Sequence, residues 1–236
     1  MTTAIILAGG KGTRLQEVVS DLPKPMANIS GKPFLEYILR HLHQNNISHV
    51  IISVGYKKEI IKEYFGNKYK SIYIEYAEEE KPLGTGGAIL NACKKIYDLN
   101  NPFYIFNGDS FLNADLTLAM DFHINCKSNL TVLSNYMNDA SRYGLINFNQ
   151  SNEITEFIEK KLGAKGYINS GVYITSLSFI SKALRNKARQ FSFEEFLATK
   201  VKQIKAFTFK TNTYFIDIGI PEDFFQSQKE LNKLFD

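Results

Sequence analysis

Cysteine is scarce in this sequence, because Cys93 and Cys126 are the only two in 236 residues. Their separation fits neither a metal-ligand spacing nor a disulfide framework, so we expect a protein of the reducing cytoplasm. The first residues hold no basic segment ahead of a long apolar one, as a secretory signal would. No apolar run is long enough to cross a bilayer, so we expect no membrane partner.

Basic residues are not concentrated in any block. The 28 Lys and Arg residues are scattered among 24 Asp and Glu residues, and the formal net charge is +4. This modest balance fits an anionic small-molecule substrate and gives no reason to expect nucleic acid. No repeat, linker or low-complexity segment divides the chain, so we expect one domain over residues 1–236.

Strand and helix patterns alternate in the first half of the chain. Near-continuous apolar runs at residues 3–7, 50–54 and 102–106 are typical of parallel strands buried on both faces. From about residue 136 onward, shorter strand patterns follow one another without long helices. We therefore predict an α/β, Rossmann-like fold with a mostly parallel central sheet flanked by helices and a small, partly antiparallel lobe. Ligands are expected at the carboxyl ends of the strands.

A glycine-rich turn follows the first predicted strand. Its backbone N–H groups can approach an anion closely, and two cations, Arg14 and Lys24, come soon after it. This combination suits a polyphosphate. The glycine spacing matches neither the dinucleotide fingerprint nor the phosphate loop of NTPases, which argues against a nicotinamide-dependent oxidoreductase.

Two segments carry a family resemblance. Residues 7–15 read LAGGKGTRL and residues 23–26 read PKPM, and together they resemble the signature of the sugar-1-phosphate nucleotidyltransferases. The resemblance implies the nucleotide-diphospho-sugar transferase type of fold, with a nucleotide-binding half over about 1–135 and a sugar-phosphate-binding half over about 136–236. It implies transfer of a nucleotidyl group from an NTP to a sugar 1-phosphate, with release of pyrophosphate. Relatives are often dimers, so the resemblance also admits a homodimer.

The resemblance assigns three catalytic residues. Arg14 corresponds to the arginine that grips the departing pyrophosphate, and Lys24 to the lysine that contacts the α-phosphate and the sugar phosphate. Asp109, in the run Asn107-Gly108-Asp109, corresponds to the aspartate that binds Mg²⁺, and Asp217 to a second metal ligand. Carboxylates at the end of a strand suit this hard cation, although either aspartate is also a common cap of a turn or helix.

The segment LGTGGA at residues 83–88 resembles the family segment that lines the nucleobase and ribose. Guanine offers adjacent N1–H and N2–H donors that a carboxylate accepts together, and on this ground Glu80 is expected to contact guanine. The residues expected to bind the nucleotide lie in the glycine-containing segments and just before the second of them: Leu7, Ala8, Gly9, Gly10, Gly12, Thr13, Glu80, Gly84, Thr85, Asn107 and Gly108.

The sugar phosphate is expected to meet residues of the second half. By resemblance these are a Tyr-Gly step, a Glu-Lys pair and the asparagine of an NxG segment: Tyr143, Gly144, Glu159, Lys160 and Asn169. Lys161 adjoins the pair, so the choice between Lys160 and Lys161 stays open.

Within the family, residues 79–88 and 107–110 most resemble the guanylyltransferases that act on D-glycero-D-manno-heptose 1-phosphate. This implies GTP as the donor and a GDP-heptose for capsule or lipopolysaccharide as the product. Mannose-1-phosphate guanylyltransferase, uridylyl- and thymidylyltransferases on other sugars, and a non-catalytic nucleotide-sugar sensor are the alternatives, since a few pocket residues decide the substrate.

Overall fold

The computed structural model describes residues 2–10, 12, 15, 21–158 and 160–235. Its helices are α1 (Phe34–Gln44), α2 (Lys58–Phe65), α3 (Gly84–Cys93), α4 (Leu116–Asn125), α5 (Leu177–Ala183), α6 (Phe193–Lys200) and α7 (Pro221–Glu230). Short 3-10 helices occupy Lys24–Met26, Val201–Gln203 and Asn232–Leu234. No helix in these ranges is both long and apolar enough to span a membrane.

The strands are β1 (Thr3–Ala8), β2 (Asn28–Ile29), β3 (Lys32–Pro33), β4 (His49–Val54), β5 (Lys68–Tyr69), β6 (Ile72–Glu78), β7 (Phe103–Asn107), β8 (Ser110–Leu112), β9 (Leu130–Met137), β10 (Leu145–Phe148), β11 (Ile154–Ile158), β12 (Gly166–Thr175), β13 (Ala206–Thr211) and β14 (Phe215–Asp217).

Ten of these strands form one sheet. Along its main path the order is β11-β10-β12-β7-β1-β4-β6-β5, and β9 pairs with β12 and β13. The pairs β1/β4, β1/β7 and β4/β6 are parallel, whereas β12 runs antiparallel to both β7 and β9. The predicted fold class is therefore confirmed, and strands of both halves share the sheet.

Both faces of the sheet are covered, as the apolar runs predicted. Ile6 and Ile52 belong to one buried cluster, and their neighbours Ile5 and Ile51 belong to the other. Because successive side chains of a strand point to opposite faces, a strand buried on both sides is predominantly apolar. All six residues of β4 are buried, and its two polar residues, His49 and Ser53, are hydrogen-bonded to Glu75 and Glu79.

Helix α7 begins at Pro221, where a proline is well suited because the N–H that it lacks would have no partner in the first turn of a helix. The chain after α7 returns to the first half, where the Arg40 guanidinium lies 4.5 Å from the ring centre of Phe235 and donates to the carbonyl of that residue. The strand just before α7, β14, pairs with β8, which follows β7 in the chain.

Candidate active site

A cleft of about 670 Å³ opens at the carboxyl ends of β1 and β7. This is the place that the strand pattern predicted for a ligand. The residues that line it come from both halves of the chain: Leu7, Ala8, Gly9, Gly10, Gly12, Lys24, Pro25, Glu79, Pro82, Gly84, Thr85, Ala88, Asn107, Asp109, Lys160, Glu194, Asp217 and Gly219.

The glycine turn is shaped by two neighbours. Gly12 has φ +60°, and a Cβ there would stand 2.5 Å from Cβ of Lys24. A Cβ on Gly9 would overlap the carboxylate of Glu79. Glycine is required at these two points because the backbone must pass close to a lysine and a glutamate that both line the cleft.

Lys24 binds two carboxylates at one end of the cleft. Its Nζ lies 2.7 Å from Oδ2 of Asp109 and 3.5 Å from Oδ1 of Asp217. The lysine side chain is only 12% exposed, whereas the side chains of Asp109 and Asp217 are 37% and 31% exposed, so the lysine is buried behind carboxylates that face the open cleft. The sequence indicated each of the three residues separately, and the structure brings them together.

Strand pairing holds the two aspartates in place. Ser110 in β8 lies opposite Asp217 in the antiparallel pair β8/β14, and the backbone N–H of Ile218 donates to the carbonyl of Asp109 at 3.0 Å. The sequence patterns did not predict β8, because three residues are too few to show a period. This short strand is nevertheless what aligns the two carboxylates.

Asp217 has a raised pKa although it lies near Lys24. Burial, followed by repulsion from Asp109, raises its pKa to about 6, and the attraction of Lys24 only partly opposes these effects. Its Oδ1 is buried and accepts no hydrogen bond from the described residues. A buried carboxylate oxygen without a hydrogen bond, 3.5 Å from a lysine that also holds a second carboxylate, fits a divalent cation.

No third carboxylate, histidine or cysteine joins this pair within the described ranges. A cation held only by Asp109 and Asp217 has most of its coordination positions left for other oxygens. Mg²⁺ typically takes one or two carboxylates and completes its shell with water and substrate phosphates, so the donor set suits it.

The other end of the cleft is formed by the first turn of α3. Glu79 accepts hydrogen bonds from the hydroxyl of Ser53 and the backbone N–H of Leu83, each at 3.0 Å. Glu80, the expected guanine contact, is exposed and is not among the residues that line the cleft. The carboxylate that lines the cleft with Gly84 and Thr85 is instead that of Glu79. Glu79 is the first residue after β6, which ends at Glu78.

Glu194 of α6 also lines this end, and no motif pointed to it. Its Oε2 accepts a hydrogen bond from the hydroxyl of Thr85, so α6 of the second half and α3 of the first half together form this end of the cleft. Asp and Glu side chains stabilise a helix N-terminus. Glu79 and Glu194 both lie at the start of α3, where they accept hydrogen bonds from Leu83 and Thr85.

The predicted sugar-side residues are only partly gathered in the cleft. Lys160 lines it, whereas Tyr143, Gly144 and Asn169 are not among its lining residues. Asn169 donates to the hydroxyl of Tyr173 at 2.8 Å and accepts from the N–H of Gly171 at 3.1 Å. These contacts hold the irregular stretch of β12 that faces Asn107, so they shape the wall behind the lining residues.

Tyr143 packs against β14, the strand that also carries Asp217. Its ring packs against Phe215 in an edge contact, and its hydroxyl accepts from Arg142, which is paired with Asp223 at the start of α7. Burial is the largest of the effects that raise the pKa of Tyr143 to about 12, so it is a neutral hydrogen-bonding group. Its predicted role and those of Gly144 and Asn169 stay predictions.

Three predicted site residues, Thr13, Arg14 and Glu159, lie outside the described residues. Of the others, Gly108 lies just behind the cleft, where its N–H donates to the carbonyl of Leu7 at 3.0 Å. One cavity is lined by Lys24, Asp109, Asp217 and Lys160, together with the remaining predicted residues of the glycine turn and α3.

Comparison with known proteins assigns a family to this site. The family model of nucleotidyl transferases matches residues 3–233. D-glycero-α-D-manno-heptose 1-phosphate guanylyltransferases from Aneurinibacillus thermoaerophilus and Campylobacter jejuni are each 44% identical to this chain, over 97% and 94% of it and 97% and 96% of their own lengths.

A solved structure shows the same fold. HddC from Yersinia pseudotuberculosis, complexed with GMP-PN, is 35% identical with a TM-score of 0.83, over 98% of this chain and 99% of that one. The resemblance drawn from the motifs is thus confirmed: the chain belongs to the nucleotidyl transferase family and is a sugar-1-phosphate nucleotidyltransferase.

Proposed function

We propose that this protein is a Mg²⁺-dependent guanylyltransferase that transfers GMP from GTP to D-glycero-D-manno-heptose 1-phosphate and releases pyrophosphate. The observation that carries the proposal is the meeting of Lys24 with Asp109 and Asp217 in the cleft that the glycine turn also lines. Two relatives that match over nearly their full length at 44% identity support GTP as the donor and the heptose 1-phosphate as the acceptor. GTP is a cytoplasmic nucleotide, so we place the reaction in the cytoplasm.

The chemistry joins two anions. A phosphate oxygen of the sugar 1-phosphate attacks the α-phosphorus of GTP, a new P–O bond forms, and the bond to the bridging oxygen of the β-phosphate breaks as pyrophosphate leaves. The attacking oxygen is already ionised, so no protein nucleophile or strong base is needed. Catalysis then consists of alignment and neutralisation of negative charge.

Lys24 is the described cation best placed for this task. The Nζ atom of Lys24 lies against the aspartate pair, and the aliphatic part of its side chain lies against Gly12 in the glycine turn. It therefore holds positive charge where the turn and the carboxylates meet. Lys160 provides a second cation on the cleft wall, and we assign it to the phosphate of the sugar.

Asp109 and Asp217 would hold Mg²⁺, which supplies positive charge to phosphate oxygens when bound. The unsatisfied Oδ1 of Asp217 and the raised pKa of this residue support the assignment. In the protein alone, Lys24 compensates part of the charge of both carboxylates. Its ammonium group thereby holds both carboxylates oriented towards the cleft.

Glu79 is the carboxylate that we assign to guanine, in place of the expected Glu80. Its two oxygens already accept hydrogen bonds from Ser53 and Leu83, which fix its plane. An ionised carboxylate has about four acceptor positions, so two remain for the N1–H and N2–H donors of guanine. Uracil and thymine lack such an adjacent pair of donors.

A pyrophosphate-release assay tests the proposal. The protein is incubated with each of the four NTPs, with D-glycero-D-manno-heptose 1-phosphate or mannose 1-phosphate, and with or without Mg²⁺. Release only with GTP, the heptose phosphate and Mg²⁺ is the expected result. Release with another pair would correct the substrate, and GTP binding without release under any condition would favour the sensor and reject the enzyme. Glu79→Gln should lower kcat/KM for GTP, with Glu80→Gln as the matched control.

A further inference from the structure

The start of α6 is bonded directly to the start of α3. The hydroxyl of Thr85 donates to Oε2 of Glu194 at 2.5 Å and accepts from the N–H of Phe193 at 2.8 Å. The hydroxyl of Ser192 donates to the same Oε2 at 2.9 Å. Two hydroxyl groups therefore fix one oxygen of the Glu194 carboxylate.

The backbone reinforces this contact. The N–H of Phe191 donates to the carbonyl of Leu83, and the N–H of Gly86 donates to the carbonyl of Phe191, each at 3.0 Å. Gly84 and Gly86 pack so tightly against Phe191 that neither has room for a Cβ. The segment before α6 and the first turn of α3 thus form one rigid wall of the cleft.

The second oxygen of Glu194 is available. Every hydrogen bond that the described residues make to this carboxylate goes to Oε2, and Glu194 lines the cleft. A carboxylate with one oxygen fixed cannot turn freely, so Oε1 is preorganised as an acceptor. Preorganised groups bind a ligand without the entropic cost of ordering them.

Counting donors indicates which ligand group it meets. Guanine has three N–H donors on adjacent positions, one on N1 and two on the 2-amino group. Glu79 has two acceptor positions left beyond its bonds to Ser53 and Leu83. One N–H of the 2-amino group then needs another acceptor, because a desolvated donor without a partner weakens binding.

We propose that Glu194 binds the 2-amino group of guanine through Oε1 and that Thr85 and Ser192 position it for this contact. The inference rests on the proposed function for the identity of the nucleotide. It assigns part of the base specificity to the second half of the chain. The nucleoside end then carries two carboxylates, Glu79 and Glu194, on opposite elements.

Glu194→Gln is the direct test. The amide oxygen of glutamine can still accept from Thr85 and Ser192, whereas an amide NH₂ replaces Oε1. The matched control is Glu195→Gln, since Glu195 lies in the same first turn of α6 but is exposed and does not line the cleft. Dissociation constants are measured by calorimetry for GTP and for ITP, which lacks the 2-amino group.

The expected result is that Glu194→Gln weakens GTP binding about tenfold and leaves ITP binding unchanged, whereas Glu195→Gln changes neither. Equal weakening of GTP and ITP, or no change in either, would overturn the inference. So would a wild-type protein that binds ITP as tightly as GTP.

A second variant covers the case in which Glu194→Gln does not fold. Ser192→Ala keeps the carboxylate but removes one of its two hydroxyl partners, so it should weaken GTP binding by a smaller factor and spare ITP. A failure of the assignment of Glu194 to guanine is distinguishable from a failure of the proposed guanylyltransferase function. Binding is measured without the sugar phosphate, whereas the guanylyl transfer itself is judged from pyrophosphate release by the unmodified protein.

Discussion

The Nζ atom of Lys24 lies 2.7 Å from Oδ2 of Asp109, although 85 residues separate them in the sequence. The same Nζ lies 3.5 Å from Oδ1 of Asp217. This lysine therefore links the segment after the glycine turn to the carboxyl ends of β7 and β14. Because Lys24 is largely buried and pairs with both carboxylates, each of these charges depends on the others, and changes to any member have predictable effects.

Removing the charge of Asp109 should abolish most of the turnover. Asp109→Asn keeps the size of the side chain but removes one of the two carboxylates that we assign to Mg²⁺. We expect kcat to fall about 100-fold or more while the circular dichroism spectrum is unchanged. The stabilisation of the melting temperature by GTP with Mg²⁺ should fall in parallel. Asp121→Asn, on the exposed side of α4, is the control, and near-normal turnover of Asp109→Asn would remove this residue from the metal site.

Replacing Lys24 with an uncharged side chain should affect the chemical step. Lys24→Met retains much of the packing but leaves Asp109 and Asp217 without their cation. We expect kcat to fall about 100- to 1,000-fold, the usual effect of removing one electrostatic contact to a transition state. Lys32→Met, which removes a lysine 41% exposed and paired with Glu36, is the matched change. The assignment fails if both variants retain the same kcat in pyrophosphate release.

A methyl group at Gly12 should displace Lys24. Alanine at this position combines a strained φ of +60° with a Cβ only 2.5 Å from that of the lysine. Gly31→Ala separates the two effects, because Gly31 has φ +87° and nothing within 4 Å. Gly31→Ala should lose about 1–2 kcal/mol of stability in urea unfolding, and Gly12→Ala should lose more because the clash adds to the strain.

Only Gly12→Ala should also lose activity, by about 100-fold, since a small misplacement of a catalytic group has effects of this size. Equal kcat for Gly12→Ala and Gly31→Ala would mean that the close approach of the turn to Lys24 does not position the lysine.

Two buried histidines should make the protein less stable in mild acid. Burial lowers the pKa of His41 and of His123 from 6.5 to about 4. The unfolded chain therefore binds more protons than the folded one between these values, so the free energy of unfolding rises with pH across this window. Between pH 7 and pH 5 each histidine should account for a loss of about 2 kcal/mol.

The measurement is urea unfolding at pH 7 and pH 5. His123→Asn, whose amide can replace the hydrogen bond that Nδ1 shares with Thr131, should show a smaller loss than the wild-type protein. His43→Gln, which changes a histidine that is hydrogen-bonded to Ser71 at the surface, should show the same loss of stability between pH 7 and pH 5 as the wild-type protein. A pH dependence identical in all three proteins would show that neutral, buried His123 is not its source.

Much of the fold was predictable because its determinants are local. The near-continuous apolar run of residues 50–54 in β4 favours a strand between two covered faces, and a proline such as Pro221 is well suited to the first turn of a helix. The glycine turn and the strand ends were equally visible, since their chemistry is carried by consecutive residues. These features predicted the fold class, the place of the cleft and the family.

The composition of the cleft was less predictable. Glu79 and Glu80 are indistinguishable as neighbours in an acidic run, and only the end of β6 decides which one turns inward. Glu194 belongs to no motif, and its contact with Thr85 spans 109 residues. No local pattern encodes such a contact, because it depends on how α6 packs against α3.

The sequence by itself thus determined the α/β architecture, the place of the glycine turn after β1 and the family, since period and residue chemistry are local properties. Only the tertiary structure decided which charges meet. Antiparallel pairing of β8 with β14 sets Asp217 beside Asp109, and the packing of α6 on α3 sets Glu194 beside Thr85. The physical reason is that an ion pair or hydrogen bond requires approach within about 3–4 Å, and that approach is created by packing among residues far apart in the chain.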